Sequence, residues 1–212
     1  MRRLGTEPVT LRTRSGVTLT ADVAVGPDAR GAGVIVLPDA VMPRATSVDL
    51  VDRFVRAGHH AIAIDVHGHR ADVEADVGAA RALLHRRAGP RRFVTVGIGS
   101  GGAQSLLAAS EPVLGLAGAV AVSAPLRGLT VSPVARAAAA TIPVLGIFAG
   151  RDALAPHEDV AALAAALGQA GVEHELVTYV QATRAFFARG DHVDAWERIL
   201  EFLAPMAIDE AA

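Results

Sequence analysis

The sequence predicts an α/β fold in a single domain over residues 1–212, with a mostly parallel central sheet covered by helices on both faces. Three observations carry this expectation. Strand-type and helix-type patterns alternate along the chain with short connections, the order that gives a helix-covered parallel sheet. Several strand candidates are unbroken apolar runs, as strands buried on both faces are. A β-branched run in "VTVGIGSGGAQS", residues 94–105, stops in a glycine-dense turn that leads directly into a helical pattern.

The elements follow in order. "VTLRT" and "VTLTADVAV" read as an N-terminal hairpin turned at "RSG", and "GVIVLPD" is the first buried strand. "SVDLVDRFVRAG" reads as a helix, "HAIAIDV" as a strand, "VEADVGAARALLHRRAG" as a helix, "RFVTVGI" as a strand and "GGAQSLLAAS" as a short helix. "GLAGAVAVSA" is the next strand, followed by "RGLTVSPVARAAAAT", whose pattern is poorly defined, so that residues 125–141 are a candidate lid. "PVLGIFAG" and "EHELVTYV" complete the strands; "HEDVAALAAALGQAG" and "DHVDAWERILEFLAP" complete the helices. In such a fold ligands sit at the carboxyl ends of the strands. That directs attention to Asp39 and Ala40, His67 to Arg70, Gly99 and Ser100, Ser123, Arg151 and Asp152, and the loop from Gln181 to Gly190.

Composition narrows the function classes. Hydrophobic residues make up 51% of the chain and charged residues 20%, which excludes disorder, and the apolar runs are broken well short of a membrane span. The N-terminus "MRRLGTEPVT" has no apolar stretch behind its arginines, so a cytoplasmic location with no membrane association is expected. Cysteine is absent, which removes thiol chemistry. Every basic residue is Arg, the net charge is -2 and no basic stripe is present, so no nucleic-acid partner is expected.

Two chemistries use a strand, a tight turn and a helix N-terminus. Gly97, Gly99 and Gly102 satisfy G-x-G-x-x-G, which lets a backbone approach a dinucleotide pyrophosphate. That site also needs an acidic residue at the end of the next strand, about 20 residues on. Here the next strand ends near Ser123 without one, and no cofactor is expected. The second chemistry is a nucleophile elbow, with a Ser or Cys at a strained apex and small residues two positions to either side. Gly99, between Gly97 and Gly101, is the residue so flanked; Ser100 is displaced by one, with Ile98 upstream of it.

With these motifs the chain resembles the dienelactone hydrolase family of α/β-hydrolases, from about Val17 to Pro205. The family's elbow reads G-x-C-x-G-G, and "GIGSGGAQS" puts Gly99 in the place of the nucleophilic Cys. By the same resemblance Asp39 stands for an acidic residue that contacts the nucleophile, and the amides of Ala40 and Ser100 fall at the oxyanion hole. "FAGRDALAP" is similar to the acid loop and places Asp152 at the triad acid, while "QATRAFF" puts Arg184 in the place of the histidine. The resemblance thus implies an α/β-hydrolase fold with a degenerate triad, a pseudo-hydrolase in the ordinary sense.

Glycine has no side chain with which to form a covalent intermediate, and Arg, always protonated, cannot accept a proton as His does. Ser100 reads either as a displaced nucleophile or as a helix N-cap. His67 and His69 are placed to line the pocket; their H-x-H spacing invites a metal, but no further ligand set accompanies it and none is expected. Asp152 reads either as a cap on backbone amides or as the ionic partner of Arg184, and in the second case Asp39 or a histidine is the better base. Catalytic candidates are therefore Asp39, Ser100, Asp152 and Arg184, with Ala40, Gly99, Gly101, His67 and His69 lining a pocket that has extra room where a nucleophile would stand. The expected partner is a carbonyl-bearing or anionic small molecule. It would meet a non-hydrolytic enzyme of isomerase, cyclase or lyase type, a hydrolase working through Ser100 or activated water, or a catalytically silent binding or scaffold protein.

Overall fold

A computed structural model describes residues 5–27, 29–65, 72–189 and 193–206. Eight strands form one sheet: β1 (Glu7–Arg12), β2 (Thr18–Ala24), β3 (Gly33–Leu37), β4 (His60–Asp65), β5 (Phe93–Ile98), β6 (Gly118–Val122), β7 (Val144–Ala149) and β8 (His174–Tyr179). Their order is β1-β2-β4-β3-β5-β6-β7-β8. The hairpin β1–β2 and the β2–β4 pair are antiparallel, and β4 to β8 with β3 are parallel, so the carboxyl ends of β3, β5, β6, β7 and β8 all meet one edge.

Helices α1 (Arg44–Arg56), α2 (Val73–Ala88), α3 (Ser100–Ala108), α4 (Pro133–Ala137), α5 (His157–Gln169), α6 (Phe186–Arg189) and α7 (Val193–Leu203) cover the sheet. Strand periodicity assigns the faces. Val34 and Val36 point into a core with Val51 and Phe54 of α1 and Ile199 and Leu203 of α7. Ile35 and Leu37 point the other way, into a core with Val77 and Leu84 of α2. A third cluster joins Leu106 of α3 and Leu163 of α5 to Ala119, Val144 and Phe148.

The departures from the sequence reading are local. Helix α1 begins at Arg44 rather than Ser47, because Pro43 sets φ at -59° ahead of the first turn. Helix α6 was not expected; it is held by the buried rings of Phe186 and Phe187. Residues 125–141 include α4, which packs against α3 and α5. Leu126, Ala137 and Ala140 are buried in the third cluster, so both ends of this segment are built into the core, while residues 127–132 between them are exposed.

At the amino end of β4, His59 and His60 are both 6% exposed, and the Nδ1 of each lacks a hydrogen-bond partner. Burial pushes both imidazoles below their ordinary value, partly offset by a backbone hydrogen bond at each. The unfolded chain therefore binds more protons than the folded one just below that value. Stability is complete above about pH 6.5 and falls as the pH drops towards the lowered folded values. Urea midpoints measured from pH 8 to pH 5 should decline on the acid side, and His59→Gln should flatten the decline; an unchanged slope in that variant would assign it to other groups.

Candidate functional site

Two glycines set the geometry of the β5–α3 turn. A Cβ on Gly97 would overlap the Gly101 carbonyl, and a Cβ on Gly101 would overlap the carbonyl of Leu37. The first turn of α3 is thereby pressed against the carboxyl end of β3, which brings Gly99 and Ser100 beside Asp39 and Ala40. Gly99 is the apex, with φ 57° and ψ -123°, a left-handed conformation in which glycine bears no steric cost. Its amide donates to the Val122 carbonyl at 2.8 Å, fixing the turn to β6.

Ser100 is the first residue of α3, and Gly99 occupies the N-cap position. The expectation of Ser100 as an N-cap is therefore corrected. Its hydroxyl turns instead to the β3 loop, where Oγ accepts from the Ala40 amide at 2.9 Å and donates to Asp39 Oδ1 at 3.3 Å. The Ala40 amide, expected at an oxyanion hole, is thus engaged by the neighbouring serine.

The acid loop and the β8–α6 loop are tied together by the Arg151 amide donating to the Ala182 carbonyl at 3.0 Å. Ala182 and Phe186 are buried, so Arg184 between them is aimed back at the acid loop. Asp152 is 7% exposed; its Oδ1 accepts from the Leu154 amide at 2.9 Å and its Oδ2 lies 3.4 Å from Arg184 Nη1. It is cap and ionic partner at once, and the two readings of Asp152 are both realised. The other guanidinium nitrogen of Arg184, Nη2, stands 3.6 Å from Asp39 Oδ2. One cation therefore bridges two carboxylates, at separations too long for tight hydrogen bonds.

The expected extra room at Gly99 is not there. A Cβ built on Gly99 would fall on the carboxylate of Asp39, which fills the volume an apex side chain would take. The reason is the short reach of the β3 loop: Asp39 follows Leu37 by two residues, and with Gly101 seated on the Leu37 carbonyl its side chain has the apex directly beside it. Asp39, like Asp152, faces the guanidinium of Arg184, but its side chain is 21% exposed where that of Asp152 is 4%.

The structure gathers Asp39, Ala40, Gly99, Ser100, Gly101, Asp152 and Arg184 into one cluster. His67 and His69 lie outside the described residues, as does His192. Among the described residues no group of three or more His, Cys, Asp or Glu is arranged to hold a metal, and no helix is long and apolar enough to cross a membrane. Ser123 stands just past β6, at the carboxyl edge of the sheet. It is the one non-glycine among the described residues with positive φ, 50°, and its buried hydroxyl has no hydrogen-bond partner. Strain of this kind is concentrated at functional edges, and no sequence pattern announces it for a serine.

The model of the dienelactone hydrolase family matches residues 66–207. The chain belongs to the dienelactone hydrolase family. Its α/β-hydrolase fold is shared with a dienelactone hydrolase candidate from Klebsiella pneumoniae subsp. pneumoniae, at TM-score 0.79 and 23% identity, covering 93% of this chain and 99% of that one. An esterase from Pyrococcus furiosus is similar at TM-score 0.79 and 17% identity, covering 97% and 92% of the two chains. A thermophilic esterase from Thermogutta terrifontis is similar at TM-score 0.76 and 19% identity, covering 98% and 95%. At these identities the likeness is one of fold. A comparison with curated proteins finds no match. Within this dienelactone hydrolase family member, the elbow, the β3 loop and the acid loop supply the cluster described above.

Proposed function

We propose that this member of the family is a non-hydrolytic enzyme of isomerase, cyclase or lyase type, acting on a small molecule that carries a carbonyl or anionic group. The observation that carries the reading is the carboxylate of Asp39 standing in the apex volume of a glycine elbow, bridged by Arg184 to Asp152. Gly99 has no group to attack a carbonyl, and Arg184 cannot take a proton. What the cluster retains is a fixed cation, a partly exposed carboxylate and helix-start amides. These suit proton transfer next to a carbonyl: Arg184 holds the developing negative oxygen, and Asp39 removes the proton and returns it. Asp152, buried and capped by Leu154, holds the guanidinium in place. For a carbonyl oxygen to reach the Ala40 amide, the Ser100 hydroxyl must turn aside.

Two other readings have an observation each. The Ser100–Asp39 contact favours a hydrolase working through Ser100. The mutual satisfaction of Asp39, Arg184 and Asp152 favours a silent binding or scaffold protein.

One experiment separates the three. Activated esters, enol lactones and 2-oxo acids are presented to the protein in deuterated buffer, with product formation and deuterium uptake followed by NMR. The expected result is no ester turnover above background and deuterium uptake next to the carbonyl that falls by roughly a hundredfold or more in Asp39→Asn, the scale of a lost general base. Ester turnover that disappears in Ser100→Ala would overturn the proposal in favour of a hydrolase. Thermal stabilisation by these compounds with neither turnover nor exchange would overturn it in favour of a binder.

A further inference from the structure

Apart from this cluster, β1, the hairpin turn and α2 line an open cavity of about 590 Å3. Its floor is made concave by small residues on one face of α2, Ala75, Gly78, Ala79 and Ala82, together with the buried side chains of Leu11 and Leu114. Four arginines line it: Arg12 and Arg14 from the hairpin, Arg81 and Arg86 from α2. The cavity shares no lining residue with the Asp39–Arg184–Asp152 cluster.

These four cations differ in one respect from seven of the chain's other arginines. Arg44, Arg56, Arg87, Arg127, Arg136, Arg184 and Arg198 are each paired with a carboxylate. Arg12, Arg14, Arg81 and Arg86 pair with no carboxylate among the described residues. Two acids also line the cavity, Glu74 and Asp72, the latter capping α2 through the Ala75 amide at 3.1 Å, so the cavity's arginines exceed its carboxylates by two. Arg81 is held most firmly. Its guanidinium stacks 5.0 Å from the centre of the Phe93 ring, and its Nε is buried without a hydrogen-bond partner. A guanidinium fixed on an aromatic face, with donors left over, is prepared for an incoming anion, because the entropy of ordering it is already lost on folding.

We infer that this cavity is a second ligand site, for a small molecule bearing a di- or triphosphate group. The volume is that of a metabolite site. Arginine is the residue type whose planar fork matches phosphate oxygens two at a time. Arg81 would supply the fixed contact at the floor, and the exposed Arg12, Arg14 and Arg86 would close around the remaining charge. Phosphate is favoured over a single carboxylate because the four arginines exceed the two lining acids by two charges, more than one carboxylate can neutralise.

Isothermal calorimetry on the full chain tests this with inorganic phosphate, pyrophosphate and ATP at matched ionic strength. Pyrophosphate and ATP should bind, inorganic phosphate more weakly, and Arg81→Ala should raise the dissociation constant roughly tenfold or more, as for one lost charge-assisted contact. Arg86→Ala, an exposed change that leaves the fold intact, should also weaken binding. Arg91→Ala, outside the cavity, should not. Binding of pyrophosphate equal to that of chloride or sulfate, or losses as large in Arg91→Ala as in Arg86→Ala, would overturn the site. ATP binding without pyrophosphate binding would overturn the phosphate assignment. None of these readouts involves the chemistry proposed for Asp39.

Discussion

Gly101→Ala should cost the protein more than about 3 kcal/mol of stability, the far end of what overpacking a core position costs, because the clash is with backbone and not with a side chain that can turn away. The added Cβ would overlap the carbonyl of Leu37 and lie 2.8 Å from that of Pro38. Neither carbonyl can retreat. Leu37 is the last residue of a strand paired on both sides, and Pro38 begins the loop that carries Asp39. Either α3 lifts from β3 or the strand end distorts, and both movements separate Gly99 and Ser100 from Asp39 and Ala40. For a chain of this length the loss corresponds to a fall in melting temperature of about 6–12 °C. Gly78→Ala is the matching control. Gly78 lies inside α2, where its Cβ would meet only Leu114, at 3.9 Å, so the substitution should stabilise by about 0.5–1 kcal/mol through reduced backbone entropy. If calorimetry shows the two alanine variants equally stable, α3 is not seated on β3 in the way described.

The same two contacts explain how far the sequence alone could go. Alternating strand and helix patterns depend on local residue order, and β3 to β8 were legible because each is an apolar run bounded by turn residues. The elbow was legible because only glycine tolerates the approaches at residues 97 and 101, so small residues two apart about Gly99 carry a geometric meaning. The ion pair of Arg184 with Asp152 followed from resemblance alone, since no local pattern links positions 32 residues apart. What the sequence misjudged was space. Removing a side chain at residue 99 suggests a void, yet interiors close up when a neighbour can reach, and the carboxylate of Asp39 does so. Ser100 was misjudged for a related reason: N-cap preference is a local rule, and the Ala40 amide offered its hydroxyl a better acceptor role across the turn.

Arg184→Ala should be the second severe change, and its cost should come mainly from what it leaves behind. The side chain of Asp152 is 4% exposed, and among the described residues Arg184 is its only ionic partner. Removing one member of a buried pair leaves an uncompensated charge, which costs about 3–5 kcal/mol when both members are buried. Arg184 is itself 31% exposed and the pair is long, at 3.4 Å, so solvent already screens it and about 2 kcal/mol is the expected loss. The carboxylate of Asp39, at 21% exposure, can turn towards water and adds little. A double-mutant cycle separates these contributions. Asp152→Asn keeps the hydrogen bond to the Leu154 amide while removing the charge, so Arg184→Ala combined with Asp152→Asn should be more stable than Arg184→Ala alone. Combination with Asp39→Asn should recover much less. Urea denaturation of the variants gives the comparison directly. Equal recovery from the two asparagine changes would mean that Arg184 serves both carboxylates alike; no recovery from either would mean that the loss arises from packing of the arginine stem, and the ionic role assigned to Asp152 would fall.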